Sequence, residues 1–103
     1  MNENYVNVEA KIYNLKFWIS ECNPKFLRDF FQDKLTKVKF NILLFNEYHF
    51  PEKGYTCFWL LAESHLAIHT FPESNKTYIE LSSCNKEKLD LFNEIVKDNV
   101  QKI

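Results

Sequence analysis

The chain has 103 residues, 46% of them hydrophobic, and a formal net charge of −1, which suits one globular domain with one modest core. The near-neutral charge argues against a dominant surface for nucleic acid or for anionic membranes, so neither is an expected partner. No apolar stretch approaches the roughly 20 residues that span a bilayer and no signal peptide is visible, so we expect a cytoplasmic protein with reduced cysteines.

The first predicted strand covers residues 4–13, where apolar side chains alternate with polar ones. A helix is predicted from residue 24 to residue 35, because Asn23 is a favoured N-cap and Pro24 suits the first helical position. Residues 38–46 form the next predicted strand.

Three further strands are predicted over residues 55–62, 65–71 and 76–82. Residues 72–75 predict a turn between the last two of them. Asn85 predicts the N-cap of a final helix over residues 86–103, which carries apolar side chains at helical spacing.

The element order β-α-β-β-β-β-α predicts an α+β two-layer sandwich, in which an antiparallel sheet carries both helices on one face. No internal repeat or linker interrupts the chain, so residues 1–103 are expected to form a single domain. The second sheet face then needs a cover, and a partner subunit would provide one.

The stretch LAESHLAIHTFPE places an acid, a serine and two histidines in a segment that otherwise predicts a buried strand. His65 and His69 do not predict a metal site, since four residues of strand separate them by roughly 13 Å. Ser64 lacks the glycines of a G-x-S-x-G nucleophile elbow, so a serine hydrolase is not expected. An ordinary structural role for these polar residues remains one interpretation.

The strings LLAESHLAIHTFPE and YIELSSC resemble the signature of the prokaryotic pyruvoyl-dependent S-adenosylmethionine decarboxylases. The similarity extends from about Phe50 to Asn85 and implies the same α+β sandwich. It implies that the chain cleaves itself between Glu63 and Ser64, and that Ser64 becomes a pyruvoyl group. The implied activity is decarboxylation of S-adenosylmethionine to the aminopropyl donor for spermidine synthesis, with the carbonyl accepting electrons through a Schiff base.

The same resemblance implies a role for each further site residue. His69 matches the histidine that assists self-cleavage, and Cys84 matches the thiol that returns a proton to the substrate carbon. Glu73 matches an acid that binds the ribose hydroxyls, while Phe50 matches an aromatic that stacks on adenine. Thr56 stands where the family usually has a serine that helps processing. From the residues alone, core packing is the favoured interpretation of Phe50, and a buried strand-end cysteine is the favoured interpretation of Cys84.

Ser64 and His69 are five residues apart, so in one continuous strand they would point to opposite faces, roughly 16 Å apart. Either the chain turns sharply near Ser64, or the histidine that serves it comes from a second subunit. We expect a homodimer with shared active sites. In it one protomer supplies Ser64 and Cys84, and the other supplies Phe50, Thr56, His69 and Glu73.

The segment Glu80–Asn85 departs from the family pattern Asp-x-aromatic-Thr-Cys-Gly, and this change lies nearer the substrate than the cleavage site. Two alternatives therefore stay open. The chain could be a pyruvoyl decarboxylase of another amino acid, such as ornithine or arginine. It could also be an unprocessed relative that acts only as a binding or regulatory subunit.

Overall fold

Residues 11–103 are described by a computed structural model. The elements are β1 (Tyr13–Ile19), α1 (Pro24–Lys37), β2 (Ile42–His49), β3 (Tyr55–Leu61), β4 (Ser64–Phe71), β5 (Lys76–Ser83) and α2 (Lys86–Lys97). A short 3-10 turn, Pro72–Ser74, joins β4 to β5. The order confirms the predicted β-α-β-β-β-β-α arrangement and the α+β class.

The described strands form one antiparallel sheet with the spatial order β1-β5-β4-β3-β2. Strands β2 to β5 are successive hairpins, so each lies beside its neighbour in the chain. Strand β1 pairs instead with β5, at the far edge of the sheet from β2. The connection through α1 therefore crosses the whole width of the sheet.

Both helices pack on the same face of the sheet, as the sequence predicts. The buried side of α1 carries Leu27, Phe31 and Leu35, and that of α2 carries Leu89, Phe92 and Val96. These side chains join the inward-facing residues of the strands in one hydrophobic core. Each fully buried Leu or Phe contributes about 1.5–3 kcal/mol of burial free energy. Neither helix in residues 11–103 is long and apolar enough to cross a membrane.

Asparagine caps fix the start of each helix where the sequence predicts it. The Oδ1 atom of Asn23 accepts a hydrogen bond of 2.9 Å from the backbone N–H of Phe26. Oδ1 of Asn85 accepts one of 3.0 Å from the N–H of Lys88. Each cap satisfies an N–H that has no partner within the helix, which is worth about 1 kcal/mol.

The structure differs from the prediction at two element boundaries, and a third predicted element lies mostly outside the described residues. The predicted strand over residues 4–13 lies mostly outside the described residues, and the first described strand is β1. The predicted strand over residues 38–46 starts too early, because Val38 caps the C-terminus of α1 and Lys39 turns the chain with a φ of 70°. Helix α2 ends at Lys97 rather than at residue 103, and the final residues bridge back to β1.

The second face of the sheet, called here the open face, carries no helix in the described part of the chain. Its side chains alternate with those of the core along β1, β3, β4 and β5, and β2 has an irregularity between Ile42 and Leu44. Several large apolar side chains are exposed on it: Trp18, Leu44, Tyr48, Leu60 and Phe71. Trp18 contacts both Phe71 and Tyr78, with ring centroids 5.7 and 5.1 Å apart.

Candidate active site

The junction between Glu63 and Ser64 lies at the end of a tight hairpin. Leu61 pairs with Ser64, so Ala62 and Glu63 alone form the turn between β3 and β4. Glu63 has a φ of 58°, in the left-handed region that glycine and asparagine normally occupy. Such a conformation costs a side-chain-bearing residue about 1–2 kcal/mol. The peptide bond at this junction therefore follows a strained residue.

The hydroxyl of Ser64 points toward the core face rather than toward solvent. Ser64 Oγ donates a hydrogen bond of 2.8 Å to Ser83 Oγ, its direct cross-strand partner on β5. Ser64 is 8% exposed and Ser83 is 1% exposed, so the hydroxyl pair is almost sealed from bulk water. The structure places Ser64 in β4, whereas the sequence predicted that this strand begins one residue later.

Cys84 follows β5 and lies against the same junction. Its Sγ is 3.5 Å from the carbonyl oxygen of Glu63 and 3.8 Å from Oε2 of the same residue. The thiol thus contacts the carbonyl group that precedes Ser64, although 21 residues separate the two in sequence. Cys84 is exposed, so the alternative that it is a buried strand-end cysteine is wrong.

Pockets border the junction on both faces of the sheet. On the helix side, a pocket of about 170 Å³ lies against Glu63, Ser64 and Cys84. On the open face, a second pocket of about 270 Å³ is lined by Glu63, Ser64 and His65 among others. We call the cluster of Glu63, Ser64, Ser83 and Cys84 the serine end of the sheet. A small molecule could approach this end from either side.

The other predicted site residues gather at the opposite end of the sheet. Thr56 and His69 are cross-strand partners on β3 and β4, and they share a hydrogen bond of 3.0 Å between Oγ1 and Nδ1. Both side chains are half-buried and face the open side of the sheet. The structure thus joins the two residues that the resemblance links to processing, a contact that the sequence did not predict.

Phe50 and Glu73 lie in loops at this same end. Phe50 follows β2 and is 49% exposed, so the alternative that it packs in the core is wrong. Its ring contacts Tyr48 edge to face, with centroids 4.9 Å apart. Glu73 lies in the 3-10 turn after β4 and is exposed. We call the cluster of Phe50, Thr56, His69 and Glu73 the histidine end.

One protomer does not bring Ser64 and His69 together. Strand β4 runs without interruption from Ser64 to Phe71, so the chain makes no sharp turn between the two residues. Alternation along the strand directs Ser64 to the core face and His69 to the open face. Five residues of strand separate them by roughly 16 Å. The sharp turn that the sequence allowed near Ser64 is present at Ala62 and Glu63, but it precedes Ser64 and does not bring His69 to it. The second subunit is the explanation that stays open.

Ser83 is the site residue that the sequence interpretation missed. If β4 and β5 are paired as a hairpin around the predicted turn at residues 72–75, Ser83 comes to lie directly opposite Ser64. Pairing β3 with β4 around residues 62–63 likewise places Thr56 opposite His69. Only Ser64 was assigned a function among the serines of this region, because a lone hydroxyl on a neighbouring strand carries no motif.

The cysteines differ in what their surroundings allow. Burial raises the pKa of the Cys57 thiol from 9.0 to about 12. Burial likewise raises the pKa of the neighbouring Tyr55 hydroxyl, which donates a 2.5 Å hydrogen bond to Glu47. Cys57 stays protonated in the core and is a poor nucleophile or proton donor. Cys84 is the cysteine that contacts the predicted cleavage junction. Residues 11–103 contain no cluster of metal-ligating side chains.

Comparison with protein families gives one match that covers most of the chain. The family model described as S-adenosylmethionine decarboxylase matches residues 19–102. This span includes every residue of the serine end and of the histidine end.

Two curated relatives, both named S-adenosylmethionine decarboxylase proenzyme, are similar in sequence. The one from Thermodesulfovibrio yellowstonii is 30% identical over 74 residues, and the one from Pyrobaculum islandicum is 36% identical over 70 residues. These alignments cover 66% and 61% of this chain. They cover 55% and 56% of the relatives, so the chain spans about half the length of the curated relatives it matches.

A solved structure shares the fold. The crystal structure of the adenosylmethionine decarboxylase from Aquifex aeolicus superposes with a TM-score of 0.66 and 17% sequence identity. The match covers 91% of this chain and 85% of that one. At this identity, the likeness supports the antiparallel sheet with two helices and nothing finer.

Proposed function

We propose, since the chain belongs to the S-adenosylmethionine decarboxylase family, that it is a self-cleaving, pyruvoyl-dependent decarboxylase of S-adenosylmethionine. The product would be the aminopropyl donor for spermidine synthesis. The observation that carries the proposal is the contact of the Cys84 thiol with the Glu63 carbonyl, beside a buried Ser64 hydroxyl. The names of both curated relatives, which call them proenzymes, support a precursor that must be processed.

Self-cleavage would begin at the strained turn. Ser64 Oγ attacks the carbonyl carbon of Glu63, the amide C–N bond breaks, and an ester replaces the amide. Loss of the Ser64 Cα proton then expels the upstream chain, which ends in the main-chain carboxylate of Glu63, and leaves dehydroalanine at residue 64. Water hydrolyses the dehydroalanine to a pyruvoyl group and releases ammonia. The Cys84 thiol, 3.5 Å from the Glu63 oxygen, is positioned to donate a hydrogen bond to the charge that develops there.

The residues of the serine end fit a pyruvoyl group. Residue 64 would become the N-terminus of the downstream fragment, beside the pockets that lie on both sides of it. When formed, the pyruvoyl carbonyl supplies an electron sink for the carbanion that remains as CO₂ leaves. Cys84 would then hold the proton that returns to the substrate carbon, since its Sγ already lies at this junction.

The histidine end would come from a second protomer of a homodimer. The Thr56–His69 pair faces the open face, whose exposed apolar side chains need a cover. A two-fold arrangement can lay the histidine end of one protomer over the serine end of the other. When Nδ1 of His69 donates its proton to Thr56, Nε2 is free to accept one, as self-cleavage requires. Phe50 and Glu73 are exposed and available to contact adenine and ribose.

Release of CO₂ from carboxyl-labelled S-adenosylmethionine tests the activity. Purified wild-type protein should release label, and the Ser64→Ala variant should release none above background. Ser20→Ala is a matched control, because Ser20 is exposed just after β1 and lines neither pocket at the junction. Parallel assays with ornithine and arginine address the alternative substrates. Release from either of these, without release from S-adenosylmethionine, would contradict the proposed substrate.

A non-catalytic binding subunit is the alternative of a different class. It requires an intact chain, and the strained Glu63 with its contact to Cys84 favours cleavage instead. An intact wild-type chain with no decarboxylation of any of the three substrates would support the binding subunit.

A further inference from the structure

Ser83 is buried directly beneath the proposed nucleophile. Its Oγ accepts the hydrogen bond from Ser64 Oγ at 2.8 Å. The two residues are register partners on β4 and β5, and both side chains face the helices. The sequence assigned no function to Ser83, and a cross-strand apolar pair would serve the core equally well at this position.

The Ser83 hydroxyl is itself held in place from the other side. Its Oγ accepts a second hydrogen bond of 3.0 Å from the backbone N–H of Asn85, the N-cap residue of α2. With 1% exposure it has almost no access to water. A side chain with fixed partners on two elements gives the Ser64 hydroxyl a stationary acceptor.

A stationary acceptor determines how Ser64 presents its oxygen. A serine hydroxyl has one O–H donor and two lone pairs, and it rotates freely unless a partner holds it. Once the O–H is directed to Ser83, the χ1 angle of Ser64 is restricted and its lone pairs point away from Ser83. The attack on the Glu63 carbonyl needs such a fixed lone pair, because small errors in orientation slow a reaction strongly.

We propose that Ser83 is a positioning residue for self-cleavage, which orients the Ser64 hydroxyl for attack on the Glu63 carbonyl. The inference rests on the proposed function, because it concerns the first step of that cleavage. Ser83 exchanges no proton with the junction and forms no bond to it. Its effect is on formation of the ester, and the later elimination does not depend on it.

The test is the rate of self-cleavage in freshly purified chains, followed by intact mass. Ser83→Ala should slow cleavage by roughly 10- to 100-fold, the size typical of a misplaced reacting group. Ser83→Thr keeps the hydroxyl and should restore most of the rate. Ser20→Ala, outside both pockets of the junction, should cleave like wild type. Circular dichroism and melting curves identify any variant that fails to fold, and rates are measured well below each melting temperature.

Hydroxylamine separates positioning from a general structural effect, because it cleaves esters rapidly and amides slowly. If Ser83 acts before the ester forms, Ser83→Ala should yield less hydroxylamine-dependent cleavage at residue 63 than wild type during maturation. Cleavage of Ser83→Ala at the wild-type rate would overturn the inference, as would accumulation of its ester. If Ser83→Ala does not fold, a Ser83→Thr chain that folds but cleaves no faster than roughly a hundredth of the wild-type rate overturns it equally. A wild-type chain that never cleaves would overturn the proposed function and this inference with it.

Discussion

The serine end and the histidine end of the sheet differ in whether their side chains contact groups of the same chain or face outward from it. At the serine end, the Ser64 hydroxyl is buried against Ser83, and the Cys84 thiol contacts the Glu63 carbonyl. At the histidine end, a half-buried hydroxyl–imidazole pair faces the uncovered side of the sheet, flanked by exposed Phe50 and Glu73. The first cluster has its partners within the protomer, and the second presents its groups outward.

This difference indicates where each cluster does its work. A buried, internally bonded cluster suits a reaction of the chain on itself, since its groups are already oriented. An exposed aromatic, an acid and an imidazole suit contact with something outside the protomer. In the proposed homodimer, these groups would contact the substrate and the serine end of the second subunit.

The largest expected effect comes from separating the two ends onto different chains. A mixed dimer would carry Ser64→Ala on one protomer and His69→Ala on the other, distinguished by two affinity tags. One composite site keeps both Ser64 and His69, so only the His69→Ala chain should be cleaved and one site should release CO₂. Each pure variant dimer should lose at least about a hundred-fold in cleavage rate. If neither chain of the mixed dimer is cleaved, the two ends do not cooperate across subunits.

A smaller effect is expected when the imidazole loses its hydroxyl partner. Thr56→Val keeps the shape of the side chain but removes the 3.0 Å hydrogen bond to His69. Self-cleavage should slow roughly ten-fold, which corresponds to about 1.4 kcal/mol and is typical of one lost hydrogen bond. Thr56→Ser should cleave at a rate close to wild type. Equal cleavage rates for the valine and serine variants would show that the Thr56 hydroxyl does not assist self-cleavage.

The strain at the serine end predicts a gain in stability when it is relieved. In a Ser64→Ala background, which prevents cleavage, Glu63→Asn should raise the free energy of unfolding by about 1 kcal/mol, because asparagine tolerates the left-handed region. Glu73→Asn is the matched control at an exposed acid outside that region. Urea unfolding measures both. An unchanged stability for Glu63→Asn would show that the turn stores no strain.

The smallest effect concerns Cys57, which follows Thr56 on β3 and is buried in the core. Burial raises the pKa of its thiol from 9.0 to about 12, so between these values the unfolded chain loses a proton that the folded chain keeps. Stability should therefore fall as pH rises from about 9 toward 12. Cys57→Val should reduce that slope, and the urea midpoint at pH 8 and pH 10.5 measures it. The raised pKa of Tyr55 acts in the same direction and leaves part of the slope in the variant.

Local signals made much of the fold predictable. Asn23 and Asn85 identified both helix starts, because a side-chain cap is set by neighbouring residues alone. The boundary errors have local causes as well. Residues 13–19 alternate like the predicted strand before them, with Phe17 and Ile19 facing the core, yet the prediction stopped at residue 13. The pairing of β1 with β5 is a long-range contact that no local pattern encodes.

The candidate site was predictable in its residues but only partly in its geometry. The motif gave Glu63, Ser64 and His69 as candidates, and alternation alone placed the last two on opposite faces, as in the structure. The left-handed turn at Glu63 was not predictable, because glutamate gives no signal for a positive φ. Ser83 was missed because its proximity to Ser64 depends on hairpin register, which a motif does not contain.

Intact mass of freshly synthesised protein, followed over time, tests the central claim most directly. The account predicts that the full chain disappears while two fragments accumulate. One should end at Glu63, and the other should begin at residue 64 and be lighter by one ammonia than simple hydrolysis would give. The Ser64→Ala chain should remain whole under the same conditions. A wild-type chain that stays unbroken while it decarboxylates S-adenosylmethionine would contradict the account.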